Sequence, residues 1–360
     1  MHADAQGGAV AVDTQQIISD QPRFLIARMS AIGDTILTLP VACALRDHYP
    51  DAYIAWAVER GAATAVLGHD AIDDVVVLPR GWYVSPTGIA SARSRLRALE
   101  VDVAIDCQSV SKTAMACWLS GAKTRLGCRG KYGAELSPWL NNLLIEPEQP
   151  HLTDRSLELL APLGIESPRI DWRYPLEDQS LDRMAELVQQ EGLERGYAVI
   201  NPGATWDSKL WECDRFADVA RRLGVEQGLT SLVVWGNPRE RDWAEAIVVG
   251  SGGQARMAPR TSLAELAALL MGARLVISPD TGPLHMAVAV GAPCIGLYGA
   301  TRLEDCGPYG ATNIGLQNAY EEGSRKHRRR ADNSAMREIF ADDVYDACLA
   351  LLGRSARRAA

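Results

Sequence analysis

The chain has 360 residues, 47% of them hydrophobic and 23% charged. That is ordinary globular composition, enough for about two domains each burying its own core, and it excludes a wholly disordered, collagen-like or fibrous chain. A formal net charge of −8 gives no sign of a dedicated nucleic-acid binder. Of the 37 Lys and Arg residues only five are lysine, namely Lys112, Lys123, Lys131, Lys209 and Lys326. The eight cysteines are scattered with no CxxC pair and no Cys/His cluster. No zinc site is therefore expected, and a reducing, cytoplasmic compartment fits.

Met1–Pro22 lacks a basic stretch followed by an apolar run, so it reads as a disordered leader and not a secretory signal. Phe24–Ala27 reads as a buried strand, followed by a helix over Ile36–His48 with Pro40 in its first turn or at a bend. Strands are expected at Tyr53–Val58, Asp74–Leu78 and Val101–Ile105, with helical patterns at Ala62–Leu67, Gly88–Leu99 and Lys112–Leu119. The pattern weakens between about Gly127 and Gly196, where six prolines mark turns and a linker around helices at Arg155–Leu163 and Leu181–Gln190. A second series follows, with strands at Tyr197–Ile200, Ser231–Trp235, Leu275–Ser278 and Cys294–Tyr298. Helices at Asp214–Leu223, Arg241–Val249, Ser262–Met271 and Leu284–Val290 alternate with them. Residues 318–335 are polar and basic, and a last helix covers about Asp342–Leu352. Short apolar strands separated by helices predict parallel sheets covered on both faces. The expectation is an α/β fold of two doubly wound, Rossmann-like halves, over 23–180 and 181–340, facing a central cleft. The terminal helix, 341–360, is expected to pack back on the first half.

No dinucleotide fingerprint follows the first strand. Gly250–Ala255 matches the letters G-x-G-x-x-A but precedes no helix, so a loop is expected there. No Walker A motif occurs, and no two Asp are two residues apart, so a DxD-type metal clamp is absent. Ser278-Pro279-Asp280-Thr281-Gly282-Pro283-Leu284-His285 ends a strand and opens a helix. Asp280 or Thr281 before Pro283 predicts a capped start. The free N–H groups and dipole there also suit an anion, with Thr281 and His285 as added donors. Lys209, within Asn201–Trp211, is the only lysine between 132 and 325 and lies on a loop after a strand, where such sheets bind ligands. A solvated loop lysine is its plainer reading. Asp34 follows Gly33 after the first strand and reads either as a helix N-cap, the commoner role, or as a general base in the cleft.

Taken in order, Ser30-Ala31-Ile32-Gly33-Asp34, Asp106-Cys107-Gln108 with Lys112, Asn201-Pro202-Gly203 with Lys209-Leu210-Trp211, Trp235-Gly236, Asp280–His285, Gly291-Ala292-Pro293 and Tyr298–Thr301 resemble the lipopolysaccharide heptosyltransferases of glycosyltransferase family 9. The resemblance spans about 23–352. It implies a GT-B fold, with the N-terminal half binding the acceptor and the C-terminal half the nucleotide sugar. It also implies inverting, metal-independent transfer of a heptose from ADP-heptose to a lipopolysaccharide inner-core sugar, at the cytoplasmic face of the inner membrane. By position, Asp34 resembles the catalytic base. Thr205, Lys209, Asp280, Thr281, Gly282 and His285 resemble the donor and phosphate site. Glu240, with Asp242 close by, matches the acid that bonds the donor ribose. Gly33 and Lys112 fall on the acceptor side. No metal or other cofactor is implied, and no nucleic-acid partner.

The stretch 318–335 departs from the family pattern by being basic and Cys-free. Its run Arg325–Arg330 is expected either to touch an anionic acceptor or lipid headgroup or to be a solvated loop. Three alternatives stand beside the main reading. They are a transferase of the same fold using another nucleotide sugar or acceptor, a non-catalytic sugar-nucleotide binding protein, and, last, a dehydrogenase.

Overall fold

A computed structural model describes residues 21–359, so the leader expected over 1–22 lies outside the described residues except for Gln21 and Pro22. The first half contains β1 (Arg23–Ala27), α1 (Ile32–His48), β2 (Tyr53–Glu59), β3 (Asp74–Leu78), α2 (Pro86–Arg97) and β4 (Val103–Asp106). It continues with α3 (Ser111–Ser120), β5 (Thr124–Cys128), α4 (Ser137–Leu140), β6 (Leu143–Ile145) and α5 (Leu152–Glu158). The second half contains α6 (Asp178–Gln190), β7 (Ala198–Ile200), α7 (Cys213–Gln227), β8 (Ser231–Val233), α8 (Pro238–Gly250), β9 (Ala255–Met257) and α9 (Leu263–Met271). Then come β10 (Leu275–Pro279), α10 (Gly282–Ala289), β11 (Cys294–Leu297), α11 (Leu303–Cys306), β12 (Ile314–Leu316), α12 (Arg325–Arg330), α13 (Ser334–Arg337) and α14 (Ala341–Ala359).

The strands form two six-stranded sheets, ordered β3-β2-β1-β4-β5-β6 and β12-β11-β10-β7-β8-β9. The strand pairings are parallel, as in Ile26 opposite Trp56 and Val276 opposite Val199. Counted within its own half, the second sheet repeats the order of the first. Strand order therefore reverses between β1 and β4 and again between β7 and β10, the positions where open α/β sheets hold ligands beyond the carboxyl ends of the strands.

The central strands carry apolar runs, such as Phe24–Ala27 and Leu275–Ile277, because both of their faces are covered. In β1, alternation sends Phe24 and Ile26 into one core cluster and Leu25 and Ala27 into another. In β10 it does the same with Val276 against Leu275 and Ile277. The cluster holding Phe24 and Ile26 also contains Val199, Leu284 and Met286, so one apolar interior runs through both halves.

Four strands escape the sequence reading: β5, β6, β9 and β12. Three are three-residue sheet edges and the fourth lies next to an edge, where half-exposed positions blur the apolar run. The helix expected from Ile36 starts four residues earlier, so Pro40 lies inside α1 and not in its first turn. The loop expected at Gly250–Ala255 is a turn with positive φ at Gly252 and Gly253 that feeds β9. α14 does not pack back on the first half. It lies against α7 and strands β10 to β12, because Val344, Tyr345, Cys348 and Leu351 share a cluster with Phe216, Ala220 and Leu223. Arg222 to Asp342 at 2.7 Å and Tyr345 Oη to Glu226 at 2.9 Å fix it there.

α1 and α10, one from each half, meet across the cleft at their N-terminal ends. A Cβ on Gly33 would lie 2.6 Å from His285 Cδ2, and one on Gly282 would lie 2.7 Å from Ile32 Cγ2. Each approach is closer than carbon atoms tolerate. Gly33→Ala should therefore overpack the junction by about 1–3 kcal/mol and lower Tm by roughly 2–6 °C. Gly61→Ala, at a position with nothing within 4 Å, should leave Tm unchanged in the same calorimetric scan.

Candidate active site

On the N-terminal side, the chain leaves β1 at Ala27 and turns through Arg28–Ala31 into α1. Asp34 is not the N-cap; Ala31 is. Asp34 stands three residues on, where its Oδ2 accepts the Ala31 N–H at 3.3 Å and pairs with Arg28 Nη2 at 2.9 Å. Its side chain is 37% exposed and lines the cleft. Lys112, expected on the acceptor side, lines neither part of the cleft described below. Its ammonium donates to Ser30 Oγ at 2.8 Å and Glu59 Oε1 at 3.0 Å, so it braces the β1–α1 loop.

On the C-terminal side, Asn201 closes β7 and ties it to the end of β10, donating to Ser278 Oγ at 2.9 Å and Thr281 Oγ1 at 3.1 Å. The capped helix start expected at Asp280 or Thr281 does not form. Thr281 occupies the N-cap position but makes no side-chain cap bond, because its hydroxyl is committed to Asn201 and to the Pro279 carbonyl. The dipole end of α10 therefore faces the cleft without a side-chain oxygen on it.

Asp280 turns instead to Lys209, whose ammonium contacts its Oδ2, while Thr301 Oγ1 donates to the same oxygen at 2.7 Å. His285 Nε2 lies 3.0 Å from Oδ1. Burial alone would raise the Asp280 carboxyl, but the Lys209 charge and the His285 hydrogen bond outweigh it and hold the group well below the usual carboxylate range. An ionised carboxylate only accepts, so His285 donates from Nε2. Its Nδ1 is buried with no hydrogen-bond partner.

Glu240 stands in the first turn of α8, whose N-cap Asn237 accepts the Glu240 N–H at 3.1 Å. Glu240 Oε2 accepts the Gly236 N–H at 2.7 Å, and a Cβ on Gly203 would sit 2.6 Å from its Cδ. Glu240 lines the cleft and the neighbouring Asp242 does not.

These groups surround a cleft with two lobes. The first, about 260 Å³, brings together Gly33, Asp34, Thr205, Lys209, Glu240, Asp280, Thr281, Gly282 and His285. The second, about 350 Å³, shares Asp34, Thr205, Lys209 and Asp280 with the first and adds Arg28, Arg155, Arg302, Arg325 and Arg328. The basic stretch 325–330 is helix α12, capped by Ser324 and packed on the Asp207–Lys209 turn. Arg325 lies 5.9 Å from the Trp206 ring, whose other neighbour is Lys209 at 4.7 Å. Arg328 donates to the Ala300 carbonyl at 2.8 Å, and its Nε is buried without a partner.

Sequence reasoning assigned no role to Arg28, Thr301, Arg155 or Arg302, and Arg328 entered it only within the basic run 325–330. Arg28 carried a signal as a charge set directly after the apolar run Phe24–Ala27, and Thr301 stood at the end of the Tyr298–Thr301 motif. The others reach the site only through tertiary folding. Among the described residues no group of three or more His, Cys, Asp or Glu side chains is placed to hold a metal ion. No helix there is long and apolar enough to cross a membrane.

The family model for glycosyltransferase family 9 (heptosyltransferase) matches residues 89–335. Lipopolysaccharide heptosyltransferase 1 of Salmonella typhimurium is 30% identical over 310 residues, covering 81% of this chain and 93% of that protein. The Escherichia coli K12 protein of the same name is 28% identical over 308 residues, 81% and 92% of the two chains. Among solved structures, Escherichia coli heptosyltransferase WaaC with ADP superposes with a TM-score of 0.72 at 25% identity, over 91% of this chain and 99% of that one. A family 9 glycosyltransferase from Veillonella parvula gives 0.75 at 20% identity, over 93% and 100%. With its paired parallel sheets and central cleft, the chain is a GT-B enzyme belonging to glycosyltransferase family 9, the heptosyltransferases.

Proposed function

We propose that this glycosyltransferase moves a heptose from ADP-heptose to an inner-core sugar of a lipopolysaccharide precursor, with inversion and without a metal ion. One observation carries the reading. The Asp34 carboxylate, from one half, faces the same cavity as Lys209 and the uncapped start of α10, from the other. A single displacement needs a base on one face of the sugar and a stabilised leaving group on the other. Asp34 takes the proton of the acceptor hydroxyl as that oxygen bonds to the anomeric carbon. The bond from this carbon to the diphosphate oxygen breaks on the opposite face, and its electron pair departs on ADP. One displacement inverts the anomeric centre.

Lys209 balances the charge arriving on the diphosphate, aided by hydrogen bonds from Thr205 and from the Gly282 N–H at the start of α10, beside Thr281. Asp280 and His285 hold Lys209 and the helix start in place, and Glu240 lies where a ribose hydroxyl would be met. The lipopolysaccharide named for the relatives and the WaaC structure with ADP support the substrate class. Arg155, Arg302, Arg325 and Arg328 in the second lobe suit an acceptor carrying carboxylate or phosphate. The enzyme then works as a cytoplasmic protein at the inner membrane, meeting its glycolipid acceptor from the surface.

Asp34→Asn should cut kcat by about 10²–10⁴ while ADP affinity changes little, because the base acts on the acceptor. Lys209→Ala should cut kcat by about 10²–10³ and weaken ADP. It should also lower Tm, since Asp280 would keep a buried charge without its cation. A panel of ADP-, UDP- and GDP-sugars should give fastest turnover with ADP-heptose, and polarimetric or NMR analysis should find the product anomer inverted. Preferred turnover with a UDP- or GDP-sugar would keep the fold and the displacement but replace the donor.

A further inference from the structure

We propose that Arg28 is the positioning residue for the base: it fixes the Asp34 carboxylate through one oxygen and leaves the other free to take the acceptor proton. The inference rests on the transferase reading above and adds a residue to its machinery. Arg28 is only 5% exposed, although a buried guanidinium is costly to desolvate unless fully paired. Its Nη2 meets Asp34 Oδ2 at 2.9 Å and its Nη1 donates to the Cys107 carbonyl at 2.7 Å, while Nε is buried with no partner. A charge buried with one donor unsatisfied is a poor device for stability alone. It is a good device for holding one carboxylate at a fixed angle.

The geometry divides the Asp34 carboxylate. Oδ2 takes both the Arg28 guanidinium and the Ala31 N–H. Among the described residues Oδ1 takes no hydrogen bond, and the side chain lines both lobes of the cleft. Arg28 is itself held rigidly. Its carbonyl accepts the Trp56 indole N–H at 3.2 Å, its N–H reaches the Ala57 carbonyl at 3.3 Å, and the next N–H, of Met29, donates to Gln108 Oε1 at 3.1 Å. Strand β2 and the segment that follows β4 thus clamp the residue on both sides, which gives Cys107 and Gln108 a function. They carry no chemistry and set the direction of the guanidinium. A fixed base matters because misplacing a reacting group by about 1 Å costs on the order of 10²-fold in rate.

The test compares Arg28→Ala, Arg28→Lys and Asp34→Asn with the parent enzyme, using ADP-heptose and a lipopolysaccharide-precursor acceptor. Arg28→Ala should lower kcat about 10²-fold, with ADP affinity and acceptor KM within about threefold of the parent. Added guanidinium ion should restore at least tenfold of the lost rate (roughly half the deficit on a logarithmic scale). Arg28→Lys keeps the charge but cannot bridge Asp34 and the Cys107 carbonyl together, so it should fall between the two. It supplies the same kcat-against-KM comparison if the alanine variant does not fold. The proposal is overturned if Asp34→Asn is inactive while the Arg28 variants keep kcat within about threefold, or if their loss lies in acceptor KM and guanidinium restores nothing. Full turnover by Asp34→Asn would overturn the transferase mechanism itself, and with it the role of Arg28.

Discussion

Two glycines decide how closely the halves of this enzyme can approach. Gly33 and Gly282 open facing helices, and at neither is there room for a Cβ. With any other residue the His285 or Ile32 side chain would have to give way at the meeting of α1 and α10, disturbing how Asp34 is set against Lys209, Thr281 and His285. The repeated sheet topology supplies the coarse placement, since both cleft walls lie at points where strand order reverses. The glycines supply the last few ångströms. The apolar cluster running from Phe24 to Met286 then makes that junction part of the core.

The cleft is also organised by charges that have been taken out of water and given fixed partners. Asp280 stays ionised against its burial because Lys209 and His285 are committed to it. On the other wall, Arg28 and Asp34 form a pair with one member buried and one half-open. Removing a single member of such a pair leaves a buried charge uncompensated, so the two walls are sensitive to substitution in the same way. Their roles differ in direction. On the proposed mechanism, Asp280 restrains a cation that faces the departing diphosphate, whereas Arg28 restrains an anion that faces the acceptor. Between them the start of α10 offers the Gly282 N–H, while those of Leu284 and His285 turn back to the Thr281 carbonyl.

Much of this was legible in the sequence, and the parts that were not share a cause. Strands buried on both faces, such as β1 and β10, announce themselves as apolar runs. The three-residue edge strands β6, β9 and β12 do not, because their exposed side admits polar residues. Asp34, Lys209, Asp280, Thr281 and His285 stood out by following strands, yet the details of their bonding were misread. Asp34 and Thr281 each matched a capping signal, and neither supplies the expected cap. Asp34 is held by Arg28, and Thr281 by Asn201, a residue 80 positions away. Capping signals are local and report only what neighbouring residues favour. α14 illustrates the same limit, since its apolar stripe shows that it packs without naming the partner. The basic run 325–330 was open between a loop and a binding element until its packing on the Asp207–Lys209 turn brought Arg325 and Arg328 into the cleft.

The central claim is that protein charges alone hold the donor diphosphate between the two helix ends. Titration calorimetry of the full chain with ADP, AMP and adenosine, each in excess EDTA, tests it most directly. The account predicts that ADP binds without metal and at least about tenfold more tightly than AMP, since the second phosphate is the one met by Lys209 and α10. It also predicts that adenosine binds weakest. Equal affinity for ADP and adenosine, or binding that appears only when a divalent cation is restored, would contradict it.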